Sequence, residues 1–159
     1  MNSNMAALAS LNEIVDALEI QFHEASSYLD RTTGHVSTVS REALAWAEDS
    51  NRSAESFPQW QQEELQLAAR IVDSNDFIPL PTEFDINSWG IMQEFAASQD
   101  DSDLRDHLLN SIRGRGAFRR FKDMLYERNL WDAWNSFHRE ALRRIAVEWC
   151  EEHHVQYGQ

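Results

Sequence analysis

Five basic side chains and no acid fall within ten positions: Arg113, Arg115, Arg119, Arg120 and Lys122 in RGRGAFRRFK, residues 113–122. If a helix begins near Gly116, three- and four-residue spacing gathers Phe118, Phe121 and Leu125 on one apolar face. Arg119, Arg120 and Asp123 then point away from it and Lys122 flanks it. A glycine-rich entry to such a helix offers backbone amides beside guanidinium groups, which is the chemistry of an anion site for phosphate, RNA or carboxylate. The same charges suit structural ion pairs to the acidic remainder of the chain better, with the glycines ending one helix and admitting the next. The run is neither a P-loop nor a dinucleotide fingerprint: no Lys-Ser/Thr follows, and Arg119 stands in the third glycine's place.

Other titratable residues form no assembled set. Arg139 and Arg143, four apart, extend the basic candidates, and Glu140 with Arg144 makes a favourable helical pair. His138 lies within an apolar stripe of Trp131, Trp134, Ala141, Leu142, Ile145 and Trp149, which suits a hydrogen-bonded core histidine better than an acid or base. Glu151 and His154 have the spacing of half a di-iron motif, but the second half is missing. His153 and His154 are expected in a frayed, exposed terminus. The single cysteine, Cys150, rules out a disulfide framework and reads as a packed small hydrophobe. No HExxH or GxSxG occurs, so no catalytic residue, metal or cofactor is expected.

Net charge narrows the partners. The 159 residues carry −13 at pH 7, where a nucleic-acid binder would lean the other way. The balance is uneven: residues 1–110 hold 20 acidic and 5 basic side chains, residues 111–159 hold 7 and 9. No apolar run approaches a membrane span. The opening MNSNMAALASLNE has no basic residue before its apolar stretch, which points away from a secretory signal and toward the cytoplasm.

The elements that must position these residues are mostly helical. Leu11, Ile14, Val15 and Leu18 predict a short helix over 9–19, and residues 22–39 predict a β-hairpin turning at Gly34. A helix follows from Ser40, and Ser56 and Gln59 have capping-box spacing before the next, with Pro58 in its first turn. Residues 77–81 are held extended by two prolines and suit a third, edge strand. Helices are expected over 86–98 with Asp85 as N-cap, from Asp100–Asp103 to Arg113 with a stripe of Leu104, Leu108 and Ile112, and over 116–128 and 131–153. The fold class is therefore α+β, mostly helical. One domain over 1–159 is expected, its N-terminal helix and hairpin in an acidic part to about residue 84 packed on a helical bundle over 85–155.

The run from Phe77, with FIPLP, WGIMQEF, LLNSIRGRGAFRRFKDMLYE and WDAWNSFHREALRRIAVEWCEE in order, resembles the bacterial Uncharacterised Protein Family 0158. IRGRGAFRRFKD at 112–123 is the most specific part. YLDRTTGHV at 28–36 is similar to the family's hairpin, and residues 41–75 are the least alike. The resemblance implies a shared fold and carries no activity and no catalytic residues.

These observations point to a non-enzymatic interaction or regulatory module that binds a protein, with the acidic part suited to a basic partner. Phosphate or RNA recognition through residues 113–122 is the alternative. An enzyme handling phosphate with these arginines and Asp123 comes third. The sequence leaves the oligomeric state open.

Overall fold

Two serines convert strands into helices. In the computed structural model, which describes residues 7–20, 24–49 and 51–159, strand β1 (Ala9–Ser10) runs directly into helix α1 (Leu11–Glu19). The Ser10 hydroxyl accepts from the Glu13 amide at 3.3 Å. Strand β3 (Val36–Ser40) runs into α2 (Arg41–Glu48), where Ser40 accepts from the Ala43 amide at 3.1 Å. Each oxygen satisfies one of the amide donors that a helix start leaves open.

Strand β2 (Ala25–Asp30) pairs antiparallel with β3 on one side and with β4 (Phe77–Pro79) on the other, giving the order β3-β2-β4. The expected hairpin and edge strand are therefore present, and Pro79 lies at the edge, where a missing amide is tolerated. Phe22 and His23 of the expected hairpin range, and the opening residues 1–6, lie outside the described residues. Gly34 has φ +77°, and a Cβ there would fall 2.0 Å from the carbonyl oxygen of Leu8. That close approach lets Ser10 donate to the Gly34 carbonyl at 3.1 Å. A second, two-residue sheet pairs β1 in parallel with β5 (Tyr157–Gly158), so the segment after the last helix is held by hydrogen bonds. It is not the frayed end expected from sequence: His153 Nδ1 lies 2.9 Å from the Trp149 carbonyl oxygen and its ring rests on Trp149, although His154 is exposed.

Two short 3-10 turns (Ala54–Ser56 and Gln59–Gln61) lead into α3 (Gln62–Asp73). They replace the expected capping box. Neither Pro58 nor Gln61 caps with its side chain, and Gln62 instead donates its amide to the carbonyls of Ala54 and Phe57. Helices α2 and α3 meet through Ala43, Ala47 and Ala68, small residues that allow close backbone approach, and through the buried Leu65, with Trp46 and Phe57 against them.

The chain gathers into two compact units, residues 1–82 with 146–159, and residues 83–145. The last turns of the longest helix thus fall in the first unit. The second unit holds α4 (Ser88–Ala97), α5 (Ser102–Ser111), α6 (Ala117–Glu127) and most of α7 (Trp131–Glu152). Its core is Met92, Phe95, Ala96, Leu108, Ile112, Ala117, Phe121 and Leu125, with Trp134 and Phe137 packed on it. Phe95 meets the Phe121, Trp134 and Phe137 rings edge to face at 5.4–6.0 Å, a favoured aromatic geometry. The N-cap of α4 is Asn87 rather than Asp85, accepting from the Gly90 amide at 2.9 Å, and Ile86 and Ile91 occupy the two staple positions, both buried. Asp101 caps α5 through the amides of Asp103 and Leu104. Among the described residues no helix is long and apolar enough to cross a membrane.

Candidate functional site: a clamped turn beside an aromatic cleft

The turn from α5 to α6 is built by its glycines. Gly114 and Gly116 have φ +74° and +77°, a region other residues enter at a cost, so the backbone reverses within the five residues after Ser111. The sharp reversal leaves the carbonyls at the end of α5 and in the turn without helical partners. Arg120 takes up three of them. Its Nε donates to the Ser111 carbonyl at 2.9 Å, and its two Nη atoms donate to the carbonyls of Arg113 and Arg115. A Cβ on Gly116 would stand 3.1 Å from one of those nitrogens, so this glycine also makes room for the guanidinium. The carbonyl between them, Ile112, accepts from the Trp89 indole at 2.8 Å. Two side chains, one from α4 and one from α6, therefore clamp the whole turn.

This use of Arg120 differs from both expectations for the motif. It does not point outward to an anion, and it does not pair with a carboxylate: every nitrogen of its guanidinium is spent on backbone. Arg113, Arg115, Arg119 and Lys122 behave differently. All four are exposed, and their side chains have no hydrogen-bond or ion-pair partner among the described residues. The structure thus brings these four together in the turn and the first turns of α6. Arg139 and Arg143, on α7, are both half-buried.

The face of α6 also departs from expectation. Its buried ridge is Ala117, Phe121 and Leu125, and Phe118 is 54% exposed. Phe118 keeps its three- and four-residue spacing to Phe121 and Leu125, but it stands in the first turn of α6 and is largely exposed. Phe118 there closes a cleft of about 480 Å³ with residues 83–89, including Phe84 and Trp89. Phe84 is 87% exposed and Trp89 43%, so the cleft presents large apolar surface to water. Glu83 and Asp85 flank Phe84 in the lining of the same cleft. The sequence signal for Phe84 was available, a lone aromatic in the polar run PTEFD with no helical neighbours to pack against.

The remaining candidates are structural. His138 stacks on Trp134 at 5.1 Å, and Cys150 is fully buried. Burial, then the neighbouring Glu151 charge, pushes the Cys150 thiol up to about 11, so it is a poor nucleophile at neutral pH. A second pocket, of about 310 Å³, lies beside Asp30, Arg70 and Phe77. Burial raises the Asp30 carboxyl, but hydrogen bonds from Thr32 and Thr33 and the Arg70 charge outweigh it and hold the group below its usual range. Arg70 covers the Phe77 ring at 5.9 Å, so the charges of this pocket are already answered within the fold. Among the described residues no group of three or more His, Cys, Asp or Glu is placed to hold a metal ion.

Fold and site together define a mostly helical α+β protein with an exposed aromatic cleft beside a clamped, arginine-rich turn. The chain belongs to the uncharacterised protein family UPF0158, whose family model matches residues 6–159. No curated protein and no solved structure matches it.

Proposed function

We propose that this chain is a non-enzymatic cytoplasmic module that binds another protein, and that the cleft of Phe84, Trp89 and Phe118 is its contact site. The exposure of Phe84 carries the reading: a bare phenylalanine beside two further exposed aromatics is a costly surface for a monomer and the usual composition of an interface centre. Trp89 is fixed in orientation by its bond to Ile112, so part of the cleft is organised before any partner arrives. The test is a photo-crosslinking residue in place of Phe84, illuminated in cells of the source and followed by nuclease treatment. One discrete protein adduct is expected. An adduct that disappears with nuclease, or none at all, would sink the proposal.

A second reading, phosphate or RNA recognition, draws on a different observation. Arg113, Arg115, Arg119 and Lys122 are unpaired among the described residues, and the α6 start has no side-chain cap. Binding of oligouridylate that weakens steeply with salt, and is lost on changing Arg115 and Arg119 to Gln, would favour it.

A further inference from the structure

We infer, on the same protein-binding reading, that the occupant of the Phe84–Trp89–Phe118 cleft is a short acidic segment of a partner protein. Its one large apolar side chain enters the cleft, and its carboxylates meet Arg115, Arg119 and Lys122.

Three observations converge on this chemistry. Phe118, Lys122 and Tyr126 follow one another at four-residue spacing along an exposed ridge of α6, so the aromatic floor of the cleft continues directly into a cation. Arg119 stands beside Phe118, and Arg115 three residues before it. The positive charge is confined to the first half of the helix, since Asp123 and Glu127 follow, and it coincides with the positive end of the helix dipole. In a chain of net −13, exposed cations without a carboxylate among the described residues are surface left over for an external acid.

The acidic part of the cleft lining selects between polymers. Glu83 and Asp85 flank Phe84 in the cleft lining, so a ligand that reaches both the cleft and the cations of α6 passes two carboxylates as well. A polynucleotide has one charge at every phosphate and is repelled at those carboxylates. A polypeptide places its acids where it needs them and passes the carboxylates with neutral backbone.

The experiment is selection of a displayed random-peptide library on the full chain, with affinities of the selected peptides measured by fluorescence anisotropy. Enriched peptides are expected to hold one Trp, Phe or Leu next to Asp or Glu. Their binding should weaken at least about tenfold in Phe118→Ala and in Phe84→Ala, as for a central interface aromatic. Arg119→Glu and Lys122→Glu should weaken it about three- to tenfold each with unchanged melting, and they carry the test if an aromatic variant fails to fold. Enriched peptides that are basic or uncharged, binding indifferent to all four variants, or no enrichment would overturn the inference. In those cases the protein-binding reading stands or falls separately, on the crosslink at position 84. Oligouridylate that displaces the peptides and binds more tightly than they do would overturn both in favour of RNA.

Discussion

Residues 113–122 show how one motif divides its labour among similar side chains. Arg120 is structural, but its partners are carbonyl oxygens of its own turn rather than carboxylates. The donors of a lysine radiate from one nitrogen, whereas the planar fork of arginine spreads them over three, one for each carbonyl. Arg120→Ala should therefore cost about 1–3 kcal/mol, because charge-assisted bonds are lost and turn carbonyls are left to water. Arg119→Gln should stay within about 0.5 kcal/mol, as an exposed side chain with no partner. Urea denaturation of the two variants checks this; equal losses would mean the clamp contributes nothing. The cluster itself was legible in the sequence, since five basic residues in ten positions need no structure to notice. Its division was not. Side-chain pattern says nothing about which carbonyls a turn strands, and spacing puts Phe118 on the side of Phe121 without saying whether a neighbouring element covers the first turn of the helix.

Among the elements, periodicity carried most of the information. The helices at 11–19, 102–111, 117–127 and 131–152 fall close to their expected spans because each buries a stripe, and the strand at 77–79 follows from two prolines. The pairing of β1 with β5 was invisible for a physical reason: two-residue strands have no alternation to read, and their partner lies at the other end of the chain. The Ser56 capping box failed because the spacing fits two successive 3-10 turns as well as one helical start. Gly34 links these levels, since the turn of one sheet must admit the backbone of the other strand system. Its left-handed φ alone would cost an alanine about 1–2 kcal/mol, and a Cβ placed 2.0 Å from the Leu8 oxygen must also displace backbone. Gly34→Ala should lower stability by at least about 2 kcal/mol, measured by thermal melting. A variant melting with the natural chain would show that residues 8–10 move away from the hairpin at no cost.

At the scale of the whole molecule, one variable acts in opposite directions on folding and on binding. A net charge of −13, with 20 of the 27 acids in residues 1–110, makes self-repulsion the leading long-range term in the folded chain. The Debye length shortens from about 30 Å at 0.01 M salt to about 8 Å at 0.15 M, so screening removes repulsion across the molecule. Close hydrogen-bonded contacts such as Arg52 with Asp73, 2.8 Å apart, span less than that length and are screened less. The expected outcome is a melting temperature that rises by about 2–4 °C over this range, equivalent to roughly 1 kcal/mol for a chain of this size. A fall would show that attractive pairs dominate the fold. Binding of an acidic segment to Arg115, Arg119 and Lys122 is an attraction between exposed charges, and the same screening weakens it. Measured on one preparation, the melt should climb while affinity for the segment drops. Tighter binding at high salt would leave apolar burial at Phe84, Trp89 and Phe118 as the whole of the recognition and remove the cations from it.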